Sequence, residues 1–224
     1  MAYNHPKGLC YIVKEKNFCF VPIPKNSSTH FMLNCPWNYE HHNFVWNPHF
    51  LNDNNVVCIV REPIERFISG YLEILMREEP KTLEKKFFYI DEEPRRFKEF
   101  IKEVTEEFFD AHIEPQTYYL TDENNAPIKL DSIWLQQDTN KNLSELFEKE
   151  ISGKSTAATP GYVNNGRLEL VNPRTLQSIE NPAYAHHSSA KQYYMDFLNK
   201  NISWKQAVQS LYNTDIILYN SVLK

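Results

Sequence analysis

Two short stretches carry side chains suited to holding an anion. The first is Pro24-Lys25-Asn26-Ser27-Ser28-Thr29, a lysine followed closely by three consecutive hydroxyl residues. The second is Arg61-Glu62-Pro63-Ile64-Glu65-Arg66-Phe67-Ile68-Ser69-Gly70-Tyr71, which offers a guanidinium and, in the second turn of an expected helix, a hydroxyl. Cationic side chains, hydroxyls and the free N–H groups of a helix start are the donors a phosphate or sulfate needs. Histidines add groups that exchange a proton near neutral pH. His41 and His42 are adjacent, so on an extended segment they face opposite ways. No HExxH or comparable spacing accompanies them, and the reading is no metal. The plain alternatives are an Arg61–Glu65 pair, a Ser69 that is merely small, and solvated histidines.

Each anion stretch needs an element to present it. Residues 56–60, Val-Val-Cys-Ile-Val, form an apolar run rich in β-branched residues and too short for a helix. Such a run predicts a strand buried on both faces. Arg61 then stands at the strand's carboxyl end, and Pro63 suits the first turn of a helix. Ile64, Phe67, Ile68, Tyr71, Leu72 and Leu75 recur at helical spacing and define one apolar face. Ligands of open α/β sheets bind at that edge. The first stretch is built alike. Residues 9–14 and 18–21 read as strands about the polar turn Glu15-Lys16-Asn17, and the second strand leads into the Lys25 loop and a helix start at His30-Phe31-Met32-Leu33. Ser and Thr there also suit a simple N-cap, which is compatible with anion binding.

Elsewhere the pattern is plainer. Residues 34–55 read as a long connection or irregular helix, and residues 94–109 as a helix with Phe97, Phe100, Ile101, Val104 and Phe108 on one face. Residues 128–135 have strand character, and Asn142-Leu143-Ser144-Glu145 has the form of a capping box opening a helix to about residue 149. Residues 152–167 read as a polar loop, and residues 188–199, 203–212 and 215–223 as helices.

With 224 residues the chain suffices for one domain, residues 1–224, with a sizeable core. A net charge of −5 without a long basic block disfavours a nucleic-acid backbone as partner, while a small anion needs only a local cluster of donors. No GxxxxGK[ST] occurs in a chain with five glycines, which disfavours an ordinary ATP or GTP loop. No apolar run approaches the ~20 residues of a membrane span, and the polar start is no signal peptide. With four cysteines in no CxxC spacing, the expectation is a cytoplasmic protein with reduced thiols, although Cys10 and Cys19 can face each other across a hairpin. Three sequons occur, at Asn26, Asn142 and Asn201, and a glycan on Asn26 would block the loop that carries Lys25.

The stretch Arg61–Tyr71 resembles the 3′-phosphate motif of sulfotransferases that use 3′-phosphoadenosine 5′-phosphosulfate (PAPS), in the carbohydrate branch with the Golgi-type, heparan- and chondroitin-like enzymes. The resemblance assigns Arg61 and Ser69 to the nucleotide's 3′-phosphate. The stretch Pro24–Thr29 is similar to the 5′-phosphosulfate loop of the same enzymes, which implies Lys25 at the bridging oxygen and Asn26, Ser27, Ser28 and Thr29 around the 5′-phosphate. Many members have glycine where Ser27 stands. Several branches place a catalytic histidine before the 3′-phosphate strand, and His41 and His42 lie twenty and nineteen residues before Arg61. His112 and Gln116 match the family's His-x-x-Pro-Gln element, implying a role in the acceptor cleft, with His112 a further candidate base. Lys154 and Arg167 are weaker candidates for ligand contact, and Tyr212 and Asp215 match the closing helix. The implied fold is α/β, similar to the P-loop nucleotide-binding fold, three-layered, with a short, mostly parallel sheet flanked by helices. The implied activity is sulfuryl transfer from PAPS to a hydroxyl, most naturally on a glycan, without a metal. The alternative is a catalytically inactive protein that binds a nucleotide or glycan on the same fold.

Overall fold

The computed structural model describes residues 5–76, 84–152, 161–164, 167–170 and 187–224. The chain forms two compact units, each drawn from separated segments. One comprises Asn4–Glu62, Pro115–Ala157 and Thr214–Lys224; the other comprises Met1–Tyr3, Pro63–Glu114 and Ala158–Asn213. Lys154 lies outside the described residues.

The first is a sheet unit. Its strands are β1 (Leu9–Val13), β2 (Phe18–Val21), β3 (Glu40–Asn43), β4 (Asn55–Val60) and β5 (Ser132–Leu135), in the order β3-β1-β2-β4-β5. The pairings β2–β4 and β4–β5 are parallel, and β1–β2 and β1–β3 are antiparallel. The sheet is therefore evenly split and not mostly parallel, because the tight β1–β2 hairpin reverses the chain and β3 adds to its far side. β3 and the short helix α2 (His49–Asn52) occupy the region expected to be a connection. Interior strand β4 is buried along all but its first residue, as an apolar run between two faces requires.

Alternation along the strands makes two cores. On one face Tyr11, Val13, Phe18, Phe20, Val57 and Ile59 pack with Phe31 of α1 (Ser28–Asn34) and with Leu143 and Phe147 of a second helix. That helix starts at Thr139, ahead of the proposed capping box, so Asn142 and Ser144 lie inside it. Ser144 Oγ instead accepts the amide of Ile151 at 2.9 Å, at the helix's far end. On the other face Cys10, Cys19, Val21, Val56, Cys58 and Val60 pack with Leu51, Tyr119 and Leu120, and with Leu218 and Val222 near the C-terminus. Helical layers thus cover both faces. The four cysteines are free thiols.

The second unit is helical and is built on α3 (Pro63–Met76) and α4 (Arg95–Glu106). Its core is aromatic: Phe67, Tyr71, Phe87, Phe97, Phe100 and Tyr194 are all fully buried. The expected apolar face of α3 is present, but Arg66, Ser69, Gly70 and Ile74 are buried too, so this helix is enclosed. With the Thr139–Phe147 helix as α5, the remaining helices are α6 (His187–Lys200), α7 (Ile202–Leu211) and α8 (Asn213–Val222). Most of α8 belongs to the sheet unit. A hairpin of β6 (Gly161–Asn164) and β7 (Arg167–Leu170) occupies part of what reads as a polar loop, and places Arg167 opposite Asn164. Among the described residues no helix is long and apolar enough to cross a membrane.

Candidate functional site

The Lys25 loop leaves the carboxyl end of β2. Ile23 anchors it in the core, and the amide of Asn26 returns to the carbonyl of Ile23 at 3.1 Å. Lys25 and Ser27 both adopt left-handed backbone, with φ of 69° and 63°, while Asn26 between them does not. Alternating hands along successive residues turn their N–H groups toward one side, the arrangement that cradles anions. Two non-glycine residues in this region cost about 1–3 kcal/mol each, so the surroundings must hold them. The side-chain amide of Gln136, just past β5, donates to Ser27 Oγ at 3.2 Å and to the carbonyl of Lys25 at 3.4 Å. Ser27 therefore takes the conformation that glycine favours and keeps a hydroxyl that Gln136 binds. Lys25 and Ser28 are half-buried, Pro24 is buried and Thr29 is exposed.

Asn26 points inward and is fully buried. Its Nδ2 donates to the carbonyl of Ile59 at 2.9 Å and to Oε1 of Gln116, while its Oδ1 has no hydrogen-bond partner among the described residues. Gln116 in turn embraces the backbone of Arg61. Its Oε1 accepts the Arg61 N–H at 2.8 Å and its Nε2 donates to the Arg61 carbonyl at 2.9 Å. The orientation of both amides follows from their partners, since a backbone N–H can only donate and a carbonyl only accept. The Arg61 guanidinium reaches the carbonyl of Lys25 at 3.4 Å. Behind Gln116 stands the fully buried Asp215, which accepts the N–H of Gln116 at 2.6 Å, the N–H of Thr117 at 2.9 Å and the Thr117 hydroxyl at 2.8 Å. Asp215 thereby caps the 3-10 turn Gln116–Leu120.

The histidine pair lies on edge strand β3, where His42 stands opposite Cys10 and His41 opposite Tyr11. The two rings face opposite sides of the sheet. His41 packs against Tyr39 and Tyr11, whereas His42 contacts Phe50 and binds Glu40 Oε2 through Nε2 at 3.0 Å. The registers set His42 level with Val21, the last residue of β2 and two strands away. At ~4.8 Å per strand this is roughly 10 Å across the sheet. His30, inside α1, bonds Asn140 at 2.7 Å and is buried.

The helical unit holds the rest of the second motif. Arg66 is fully buried and donates to the Glu114 carbonyl at 2.5 Å. Burial raises the Glu114 carboxyl above the usual range, with Asp110 adding to the rise and the nearby Arg66 opposing it. Gly70 is forced by close approach: a Cβ there would lie 2.5 Å from the backbone oxygen of His112 and 2.9 Å from Ile113 Cγ2. The Tyr71 hydroxyl donates to Glu93 at 2.7 Å inside the aromatic core. His112 is buried, and both its backbone N–H and its Nδ1 lie 2.9 Å from Asp110 Oδ1. The hydroxyl of Tyr212 donates to the Ile113 carbonyl. Ser69 lies almost fully buried on α3.

The sheet unit thus gathers Lys25, Asn26, Ser27 and Arg61 and carries His41 and His42 on its edge, while Ser69 and His112 belong to the helical unit. Gln136 belongs to no motif in the sequence, and the resemblance gives Gln116 a different role, in the acceptor cleft. One signal for Gln136 was available: like Arg61, it is the first polar residue after a strand that ends in the core. Among the described residues no group of three or more His, Cys, Asp or Glu is arranged to hold a metal ion.

The model of the sulfotransferase family matches residues 4–220, and the chain belongs to that family. No curated protein and no solved structure matches it.

Proposed function

Taking that membership as premise, we propose that the protein transfers the sulfuryl group of PAPS to a hydroxyl, and that the acceptor is a carbohydrate. The observation that carries the donor assignment is the pairing of the Lys25 loop with Arg61 at the carboxyl ends of neighbouring parallel strands. Lys25 and the hydroxyls of Ser27, Ser28 and Thr29 suit a 5′-phosphosulfate. The Arg61 guanidinium suits a 3′-phosphate, the group to which the motif's likeness assigns Ser69 as well. The carbohydrate acceptor is supported by the likeness of Arg61–Tyr71 to the carbohydrate branch.

PAPS supplies an activated sulfuryl group. The acceptor oxygen forms a bond to sulfur as the bond from sulfur to the bridging phosphate oxygen breaks, leaving 3′-phosphoadenosine 5′-phosphate. Lys25 stabilises the charge that grows on the departing oxygen, which is where positioned cations contribute most. The acceptor's proton passes to a histidine, and His42 is the member of the β3 pair with a carboxylate, Glu40, to orient its ring. His112, oriented by Asp110, is the competing base.

Incubation with radiolabelled PAPS and a panel of glycans, lipids and tyrosine peptides tests the reading. Label is expected on a glycan. Label on a tyrosine peptide alone would reassign the acceptor, and tight nucleotide binding without transfer to any acceptor would make the protein a binding module.

A further inference from the structure

We infer that Gln116 is a positioning residue that sets the separation between the two anion-holding points, and hence the protein's preference for a nucleotide phosphorylated at both the 3′ and 5′ positions. The inference rests on the nucleotide reading above. Lys25 and Arg61 sit on separate loops after separate strands, and sheet hydrogen bonds cannot fix their spacing, because β2 ends at Val21 and β4 at Val60. The Gln116 side chain bridges that gap. One amide binds both backbone groups of Arg61 and also the Asn26 amide from the centre of the Lys25 loop. Asn26 completes the bridge by binding the Ile59 carbonyl, two residues before Arg61. Asp215 fixes the base of the bridge through three hydrogen bonds to Gln116 and Thr117.

This arrangement has a consequence that a merely structural role lacks. A ligand that spans two points gains from their fixed spacing as a tethered pair does, and loses that gain when the points move independently. A ligand that uses one point loses little. Gln116→Met keeps the length of the side chain and removes all three amide contacts. It should therefore weaken 3′-phosphoadenosine 5′-phosphate far more than adenosine 5′-phosphosulfate, which lacks the 3′-phosphate.

The experiment is calorimetric titration of both nucleotides into the full chain, as wild type, Gln116→Met and Asn26→Ala, with a thermal melt of each. The wild-type ratio of dissociation constants should shrink about tenfold in Gln116→Met, the effect of one or two lost hydrogen bonds, and in the same direction in Asn26→Ala. Gln116→Asn, too short to reach Arg61, should not restore it. A lowered melting temperature with an unchanged ratio in Gln116→Met overturns the inference. If Gln116→Met does not fold, an unchanged ratio in Asn26→Ala overturns it. A wild type with no preference between the two nucleotides defeats the underlying nucleotide reading and this inference with it, and that outcome is visible before any variant is made.

Discussion

In the Lys25 loop a half-buried lysine itself has left-handed backbone, and directional bonds involving three amide side chains, Asn26, Gln116 and Gln136, hold the loop. In α3 the motif residues Arg66, Gly70 and Tyr71 are instead sealed in a packed interior. Both stretches look equally chemical as sequence, yet they use their polar residues differently. The loop turns the Asn26 amide inward, where it binds Ile59 and Gln116. The helix spends its motif arginine and tyrosine on the Glu114 carbonyl and on Glu93. A signature motif therefore contains residues that hold its scaffold, and only their partners in space pick those out.

The contrast can be broken at its chemical end first. With a productive acceptor and saturating PAPS, His42→Ala should lower turnover by roughly 10²–10⁴-fold, the range for a lost general base, with His41→Ala near normal. If both stay active while His112→Ala fails, the base belongs to the helical unit. Lys25→Ala should cost about 10²–10³-fold in turnover without lowering the melting temperature, and normal turnover in that variant removes Lys25 from the reaction. Arg61→Ala should weaken binding of 3′-phosphoadenosine 5′-phosphate by about tenfold to a hundredfold, the scale of a lost charge-assisted contact, while turnover at saturation holds. Titration checks this, and equal losses for a nucleotide without the 3′-phosphate would detach Arg61 from that group.

At the structural end, Gly70→Ala should destabilise the helical unit by about 1–3 kcal/mol through overpacking against the His112 backbone. An unshifted urea midpoint would show that the contact yields freely. The smallest effect is a pH dependence. Burial pushes the Glu93 carboxyl above its ordinary value, outweighing the Tyr71 hydrogen bond and the charge of Arg96. The folded state then holds that proton more tightly than the unfolded chain. Its contribution is full below the ordinary glutamate range and fades as pH rises through the raised value. Wild type should lose stability over that rise relative to Glu93→Gln, and parallel pH profiles would sink the assignment.

Periodicity made β4, α3, α4 and the closing helices legible, because each buries a face whose spacing is written locally. Strand β3 left no such trace. It is a short edge strand, Glu-His-His-Asn, without a buried alternating face, and its pairing depends on β1, some thirty residues earlier. The even split of the sheet was hidden for the same reason. Gln116 could not be read correctly because its partners lie 55, 90 and 99 residues away, at Arg61, Asn26 and Asp215. Amide side chains that bond backbone across such distances have no spacing rule. The capping box at Asn142 misled because three residues ahead of it Thr139 already opens the helix, its hydroxyl bonded to the Gln136 carbonyl.

The inward turn of Asn26 bears on where this chain can be made. Oligosaccharyltransfer joins sugar to the asparagine Nδ2, and in the folded protein that nitrogen donates to Ile59 and Gln116 inside the sheet unit. Sugar and closed core compete for one atom. In a compartment with the glycosylating enzyme, the order of events on the nascent chain would decide the outcome irreversibly. If folding comes first, the sequon is out of reach. If modification comes first, the loop cannot close over Asn26, and that molecule is lost to the native state however long it waits.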